Sequence, residues 1–225
     1  MRALIALFLI ASPAILNAHP GGLDRQGGHT DSRSGQYHCH RSQCEQAHRK
    51  QQQAEQEARE EGRSFSSLYD REAWPHWSDD DRDCQDTRAE MLILRSRKPV
   101  TFTNSQQCTV ASGEWYDPYT NTVFNNASAL DMDHLVPLRH AHGHGGDQWD
   151  TRLRQQFAND PDNLLAVSAS ANRSKGASSP DQWLPDNRAY WCEYGKRWRA
   201  LKQRYALMIT PPEMEALEKL DATCR

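Results

Sequence analysis

Residues 130–138 read LDMDHLVPL and residues 160–176 read DPDNLLAVSASANRSKG, and these two stretches decide the predicted fold. The first is typical of a strand that carries Asp133 and His134 and ends before Pro137. The second places Asn163 at the head of another strand and Asn172 near a helix start. Carboxylate, imidazole and amide groups in this order can hold a divalent cation and activate water beside a phosphate. The stretches therefore predict a metal-dependent phosphodiesterase.

The order and spacing of these residues resemble the HNH endonucleases. DMDHLVPL followed by DNLLAVSASANRSKG is similar to the HNH domain of CRISPR effector nucleases and to small secreted bacterial HNH proteins. The likeness to the secreted proteins extends from about Tyr69 to about Leu207. The resemblance implies an α+β fold built on a ββα-metal finger, in which the acid-His pair lies on the first strand and the last ligand on the helix.

The resemblance also implies a role for each residue. Asp133 would give an oxygen to the metal, and His134 would act as general base, since the ordinary pKa of histidine lies near neutrality. Asn163 would hydrogen-bond across the finger and fix the loop or His134. Asn172 would supply an amide oxygen as second ligand, which suits Mg²⁺, with Mn²⁺ as an alternative, better than Zn²⁺.

Basic and imidazole groups near these residues are candidates for substrate binding. Arg173 and Lys175, directly behind Asn172, are expected at a substrate phosphate. Residues 140–146, HAHGHGG, are predicted to form a flexible loop between the finger strands, from which His142 could contact substrate. The basic segment 196–204 is either a phosphate-contacting surface or a solvated helix face.

The rest of the chain predicts a β-hairpin before the finger and helices after it. A helix is expected over about 84–96, strands over 100–103 and 108–111, and a hairpin around 115–124. Helices are predicted over roughly 187–207 and 211–222, the second opening on a Pro-Pro pair. The predicted class is therefore α+β.

The first eighteen residues, MRALIALFLIASPAILNA, are typical of a secretory signal peptide. The apolar run is too short for a membrane anchor, and no second run follows, so the protein is expected to be secreted or periplasmic, without a membrane span. The predicted organisation is a leader over 1–18, a His-rich module over 19–44, a polar linker over 45–67 and a nuclease domain over 68–225.

Six cysteines in an exported chain indicate disulfides. The favoured pairs are Cys84 with Cys108 and Cys192 with Cys224. Cys39 and Cys44 would form a short local pair or remain free.

Residues 19–44 are rich in Gly and His and carry almost no aliphatic side chain. Such a segment needs a disulfide, a metal or docking to become ordered. It resembles a short module of exported bacterial proteins with a Tyr-His-Cys-His ending. A second metal site of His29, His38 and His40 is one interpretation, and a disordered His-rich tail is the other.

The acidic stretch SDDDRDCQDTRAE, residues 78–90, has two interpretations. Its oxygens partly match the spacing of an EF-hand calcium loop, but Cys84 stands where that loop needs Gly. The favoured interpretation is an acidic N-terminus that caps a helix.

The predicted function is that of an exported HNH endonuclease acting on nucleic acid, with DNA favoured over RNA. The formal net charge of −3 argues neither for nor against such a partner, and the oligomeric state is left open. The rival interpretation is a non-catalytic metal-binding or cell-wall-binding module, which would have no need for Asp133, His134, Asn163 and Asn172 together.

Overall fold

The computed structural model describes residues 23, 27–30, 37–61 and 69–224. The predicted leader over 1–18 lies outside these residues. The described strands are β1 (Gly28–Thr30), β2 (Tyr37–Cys39), β3 (Thr101–Phe102), β4 (Val110–Asp117), β5 (Thr122–Asn126), β6 (Leu130–His134) and β7 (Leu164–Ser168). The described helices are α1 (Ser42–Glu60), α2 (Thr87–Arg95), α3 (Leu138–His142), α4 (Thr151–Ala158), α5 (Ala169–Lys175), α6 (Trp191–Arg204) and α7 (Pro211–Asp221).

The strands form small antiparallel sheets among the helices, which confirms the α+β prediction. β1 pairs with β2, β4 lies between β3 and β5, and β6 pairs with β7. The helices predicted over 84–96, 187–207 and 211–222 are present with shorter bounds. The α7 start carries a capping box between Thr210 and Glu213, with proline in the first turn, as expected from its sequence.

Strand β7 lies between two hydrophobic cores, and this positions the finger, which we define as β6, β7 and α5. Leu165 and Val167 pack into the core that contains the C-terminal helices. Leu164 and Ala166 pack into the core beneath α2 and β4. Alternate residues of a strand face opposite sides, so a strand covered on both sides needs an unbroken apolar run, and LLAV supplies it.

The acidic stretch before α2 caps that helix. The Asp86 carboxylate accepts a hydrogen bond from the Ala89 N–H at 2.9 Å, so the favoured interpretation is confirmed for this residue. Asp79, Asp81 and Asp83 are exposed, and each accepts a hydrogen bond from a backbone N–H of the same loop.

The described part of the chain contains three disulfides. Cys84 bonds to Cys108 and Cys192 to Cys224, as predicted, and Cys39 bonds to Cys44, the local alternative. The first pair ties the loop before α2 to the segment before β4, and the second ties α6 to the segment after α7. They join segments that lie far apart in sequence.

We expect reduction to destabilise the protein, because the two long-range disulfides restrict the unfolded chain. Removing each should lower the free energy of unfolding by about 2–5 kcal/mol. Urea denaturation with and without dithiothreitol measures this, with thiol counting to verify reduction. The matched control is a Cys39→Ser/Cys44→Ser variant, whose loop spans a sequence separation of 5, and which should leave the main transition nearly unchanged. An unaltered midpoint in fully reduced protein would contradict the expectation.

The start of the predicted polar linker over 45–67 is helical, as part of α1, and one side of the last turns of this helix is buried. Glu55 and Ala58 are buried, and Arg59 forms ion pairs with Glu55 and with Asp147 of the 3₁₀ turn before α4. Burial, together with the Asp147 carboxylate, raises the pKa of Glu55 to about 7. None of the described helices combines the length and the apolar character that a membrane span requires.

Candidate active site on the finger

The finger has the ββα geometry that the sequence predicted. β6 and β7 pair antiparallel with Asp131 opposite Val167 and Asp133 opposite Leu165. Helix α5 follows β7 directly. Its N-cap is Ser168, the last residue of β7, whose hydroxyl oxygen accepts a hydrogen bond from the Ala171 N–H. Helix α5 also contacts β6, the strand that carries Asp131 and Asp133.

Two carboxylates of β6, Asp131 and Asp133, contact α5. Asn172 donates from Nδ2 to Asp131 at 3.0 Å, and Lys175 donates from Nζ to Asp133 at 2.9 Å. Sequence reasoning assigned Asp133 and missed Asp131. The signal was present, because residues two apart on a strand share a face.

Asp133 is buried, and both of its carboxylate oxygens have partners. Lys175 binds one, while the Tyr119 hydroxyl donates to the other at 2.7 Å. Burial raises the pKa of Asp133 and lowers that of Lys175, and the attraction within the pair opposes both changes. Burial beside Asp133 also raises the pKa of Tyr119, so the Tyr119 hydroxyl keeps its proton and donates.

The basic residues behind Asn172 have different environments. Lys175 was predicted at a substrate phosphate, but it is buried, and its Nζ also donates to the His134 carbonyl at 2.8 Å. It lies one helical turn beyond Asn172, on the side of α5 that faces β6. Arg173 is exposed on the same helix, where a phosphate could reach it.

His134 lies on the side of β6 opposite to Asp131 and Asp133, and one of its ring nitrogens is hydrogen-bonded. Its Nε2 is 2.8 Å from the Ala158 carbonyl oxygen at the end of α4. A carbonyl only accepts, so we assign the proton to Nε2 and the lone pair to Nδ1. Burial lowers the pKa of His134 to about 3, below the near-neutral value on which the prediction of a general base relied, so the imidazole is neutral at pH 7 but a weaker base than expected. The Trp77 ring stacks on it at a centroid distance of 5.5 Å.

Asn163 fixes the segment that follows His134. Its Oδ1 accepts from the Val136 N–H at 2.8 Å, and its Nδ2 donates to the carbonyls of Val136 and Phe157. The Asn163 backbone carbonyl accepts from the Leu135 N–H at 2.7 Å. Asn163 is buried, so these bonds hold the end of β6 against the start of β7.

The segment 140–146 was predicted as a flexible loop, and that prediction is wrong for its first part. Helix α3 ends at His142, and His140, His142 and His144 are all buried. The His142 ring, predicted to contact substrate, packs edge-on against the rings of Tyr69 and Trp74. The aromatic groups that cover α3 come from distant segments, so the local sequence does not predict its burial.

The other two histidines of this segment stack on each other near Glu213 of α7. Their ring centroids are 3.7 Å apart, and burial lowers the pKa of His140 and lowers that of His144 to about 3. The Glu213 carboxylate also binds the Trp198 indole N–H and the Lys202 ammonium. The group ties α3 to the C-terminal helices.

The oxygen donors on the α5 side of β6 suit a hard cation. Asn172 uses its amide nitrogen on Asp131, which leaves its Oδ1 as an acceptor beside a half-buried carboxylate. Asp133 is compensated by Lys175, so it fits such an ion less directly than the sequence predicted.

Comparison with known proteins places the chain in a family. Residues 85–219, which contain the finger and α6, match the model of the GmrSD restriction endonucleases, C-terminal domain. An uncharacterized secreted protein of Arthroderma benhamiae is 38% identical over 158 residues, which are 69% of this chain and 76% of that protein. No solved structure matches. The family match covers more than half of the chain, which therefore belongs to the family of the GmrSD restriction endonuclease C-terminal domain.

Proposed function

We propose that this protein is an exported, metal-dependent HNH endonuclease that hydrolyses phosphodiester bonds of nucleic acid, with DNA the favoured substrate. The observation that carries the proposal is the bond between His134 Nε2 and the Ala158 carbonyl, which leaves Nδ1 of this finger residue as a proton acceptor. The family is named for restriction endonucleases, which supports a nuclease-type hydrolase.

His134 acts as general base through Nδ1. The Ala158 carbonyl holds the neutral tautomer with its lone pair on that atom, and stacking on Trp77 limits rotation of the ring. Neutral imidazole can accept a proton from water as the water attacks phosphorus. Asn163 is a positioning residue, since its bonds to Val136 fix the chain directly after His134.

Asp131 and Asn172 would hold a divalent cation, with Asp133 behind them. Carboxylate and amide oxygens favour Mg²⁺, with Mn²⁺ as the alternative, over Zn²⁺. When bound, such an ion neutralises charge on the phosphate and on the leaving oxygen. Lys175 holds the buried Asp133 in place, and the exposed Arg173 contacts the phosphate backbone of the substrate.

Export is supported by the disulfides and by the relative. Oxidised cysteine pairs persist in the periplasm and outside the cell, and three occur among the described residues. The Arthroderma benhamiae protein is described as secreted. We propose a leader over 1–18, a His-rich module over 19–44 and a nuclease domain over 68–225. Helix α1 contacts the nuclease domain through the ion pair between Arg59 and Asp147.

Plasmid cleavage tests the proposed function. The purified, oxidised protein is incubated with supercoiled DNA, single-stranded DNA and RNA in the presence of Mg²⁺, Mn²⁺, Ca²⁺ or Zn²⁺. We expect nicking of the plasmid with Mg²⁺ or Mn²⁺ and none in excess chelator. Cleavage that persists without a divalent ion, or folded protein that cleaves none of the three polymers, would overturn the proposal.

Removing the oxygen donors should change the metal dependence of cleavage. We expect Asp131→Ala and Asn172→Ala each to raise the Mg²⁺ concentration for half-maximal cleavage by roughly 10-fold or more. A 10-fold change corresponds to a loss of about 1.4 kcal/mol in the free energy of metal binding. Titration of Mg²⁺ at saturating DNA measures this. Arg173→Ala is the matched control on the same helix, and it should weaken DNA binding without moving the Mg²⁺ midpoint. Unchanged midpoints in both folded variants would exclude these residues as ligands.

A further inference from the structure

Three histidines of the N-terminal hairpin, β1 with β2, lie on one face because of strand pairing. His29 stands directly opposite His38 in the antiparallel register. His40 is two residues beyond His38, and residues two apart along a strand direction face the same side. Cys39, between them, bonds in another direction to Cys44 of α1, which ties the hairpin to the helix.

The ring nitrogens of these histidines converge. His29 Nε2 is 2.7 Å from His38 Nε2 and 3.4 Å from His40 Nε2, and the three donor atoms lie within 4.8 Å of one another. Zinc–nitrogen bonds of about 2.0–2.1 Å in a tetrahedral site place ligand nitrogens about 3.3 Å apart. The observed spacing is close to what one shared ion requires.

We propose that His29, His38 and His40 bind Zn²⁺ and supply three of its ligands. Imidazole nitrogen suits zinc, whereas Mg²⁺ and Ca²⁺ prefer oxygen, so this site differs in kind from the oxygen donors on the finger. His40 is exposed and His38 is half-buried, so the proposed site lies near the surface of the hairpin. The proposal does not depend on nuclease activity.

Zinc would also help to fold the hairpin. Gly27 and Gly28 precede His29, and glycines contribute no side chain to a core. The hairpin is held by its strand hydrogen bonds and by the Cys39–Cys44 disulfide. Because a metal site that forms only in the folded state adds its binding free energy to folding, Zn²⁺ should stabilise the hairpin.

Zinc titration of the oxidised protein tests the proposal. Protein purified without a histidine tag is titrated with Zn²⁺ against a chromophoric chelator, and Co²⁺ is added separately to record the visible absorption of a tetrahedral site. We expect one ion per chain at the hairpin. His38→Ala and His40→Ala should each weaken Zn²⁺ affinity by at least about 100-fold. Loss of a group that only hydrogen-bonds to a metal ligand costs up to about 100-fold, and loss of the ligand itself should cost no less.

A third histidine variant distinguishes this site from other binding. His48→Ala removes a histidine of α1 that is outside the cluster, and it should bind Zn²⁺ as the unmodified protein does. Plasmid cleavage with Mg²⁺ should be unchanged in all three variants, so failure of the zinc site and failure of the nuclease are separate results. Zinc affinity that survives in both His38→Ala and His40→Ala, or an unmodified protein that binds no Zn²⁺, would overturn the proposal.

Discussion

Replacing His134 with alanine is expected to lower the rate of plasmid cleavage by about 10²–10⁴-fold, the usual contribution of a general base. The variant loses the nitrogen that takes the proton from water. It also loses the bond to the Ala158 carbonyl, so we expect a lower free energy of unfolding by about 1–3 kcal/mol without loss of the fold. Initial nicking rates at saturating Mg²⁺ and DNA measure the first effect, and urea denaturation measures the second.

The control for His134→Ala is His76→Ala. His76 lies beside Trp77, and its Nδ1 is bonded to the Trp74 carbonyl, but the proposal gives it no role in catalysis. The His76→Ala protein should cleave plasmid at a rate within a few-fold of that of the unmodified protein. Imidazole added to His134→Ala should restore part of the rate, because the variant leaves space where the ring was. A folded His134→Ala protein that cleaves at the unmodified rate would exclude His134 as the base.

Replacing Lys175 with methionine is expected to lower the free energy of unfolding by about 3–5 kcal/mol, the usual cost of removing one partner from a buried ion pair. Methionine has a similar length but no charge, so it leaves Asp133 ionised in an apolar site or forces it to bind a proton. The His134 carbonyl loses a donor as well. The shift of the urea midpoint at unchanged slope measures the loss.

The control for Lys175→Met is the double variant Asp133→Asn/Lys175→Met. With neither charge present, the double variant should be more stable than the sum of the two single changes predicts, which a double-mutant cycle detects. Arg173→Met, an exposed change on the same helix, should stay within about 0.5 kcal/mol of the original protein. A Lys175→Met protein as stable as the original would show that the pair contributes little to the fold.

The sequence was sufficient to predict the finger because short-range chemistry sets its form. LLAV reads as a buried strand, Ser168 is a good helix cap, and the strand before them ends at a proline. These features depend on neighbours in sequence, so a pattern of residue types is enough to find them.

The parts of the candidate site that sequence reasoning missed depend on tertiary contacts. The ring on His134 comes from Trp77, which is far away in the chain, and no local pattern joins the two. Lysine is usually a surface residue, so Lys175 was expected outside, although its spacing from Asn172 already placed it on the inner face of a short helix. Sequence reasoning could have found Asp131, since residues two apart on a strand share a face and Asp131 is two residues before Asp133.

Helix α1 changes what the N-terminal hairpin can do for the rest of the protein. Its first turn is joined to β2 by the Cys39–Cys44 disulfide, and its last turn is joined to Asp147 by Arg59. Between these attachments the helix rises by about 22 Å, at 1.5 Å per residue. A continuous helix therefore spans the distance between the two attachments. An ion bound by the hairpin would lie at the opposite end of this helix from Asp147, and an added helical turn would increase that separation by about 5.4 Å.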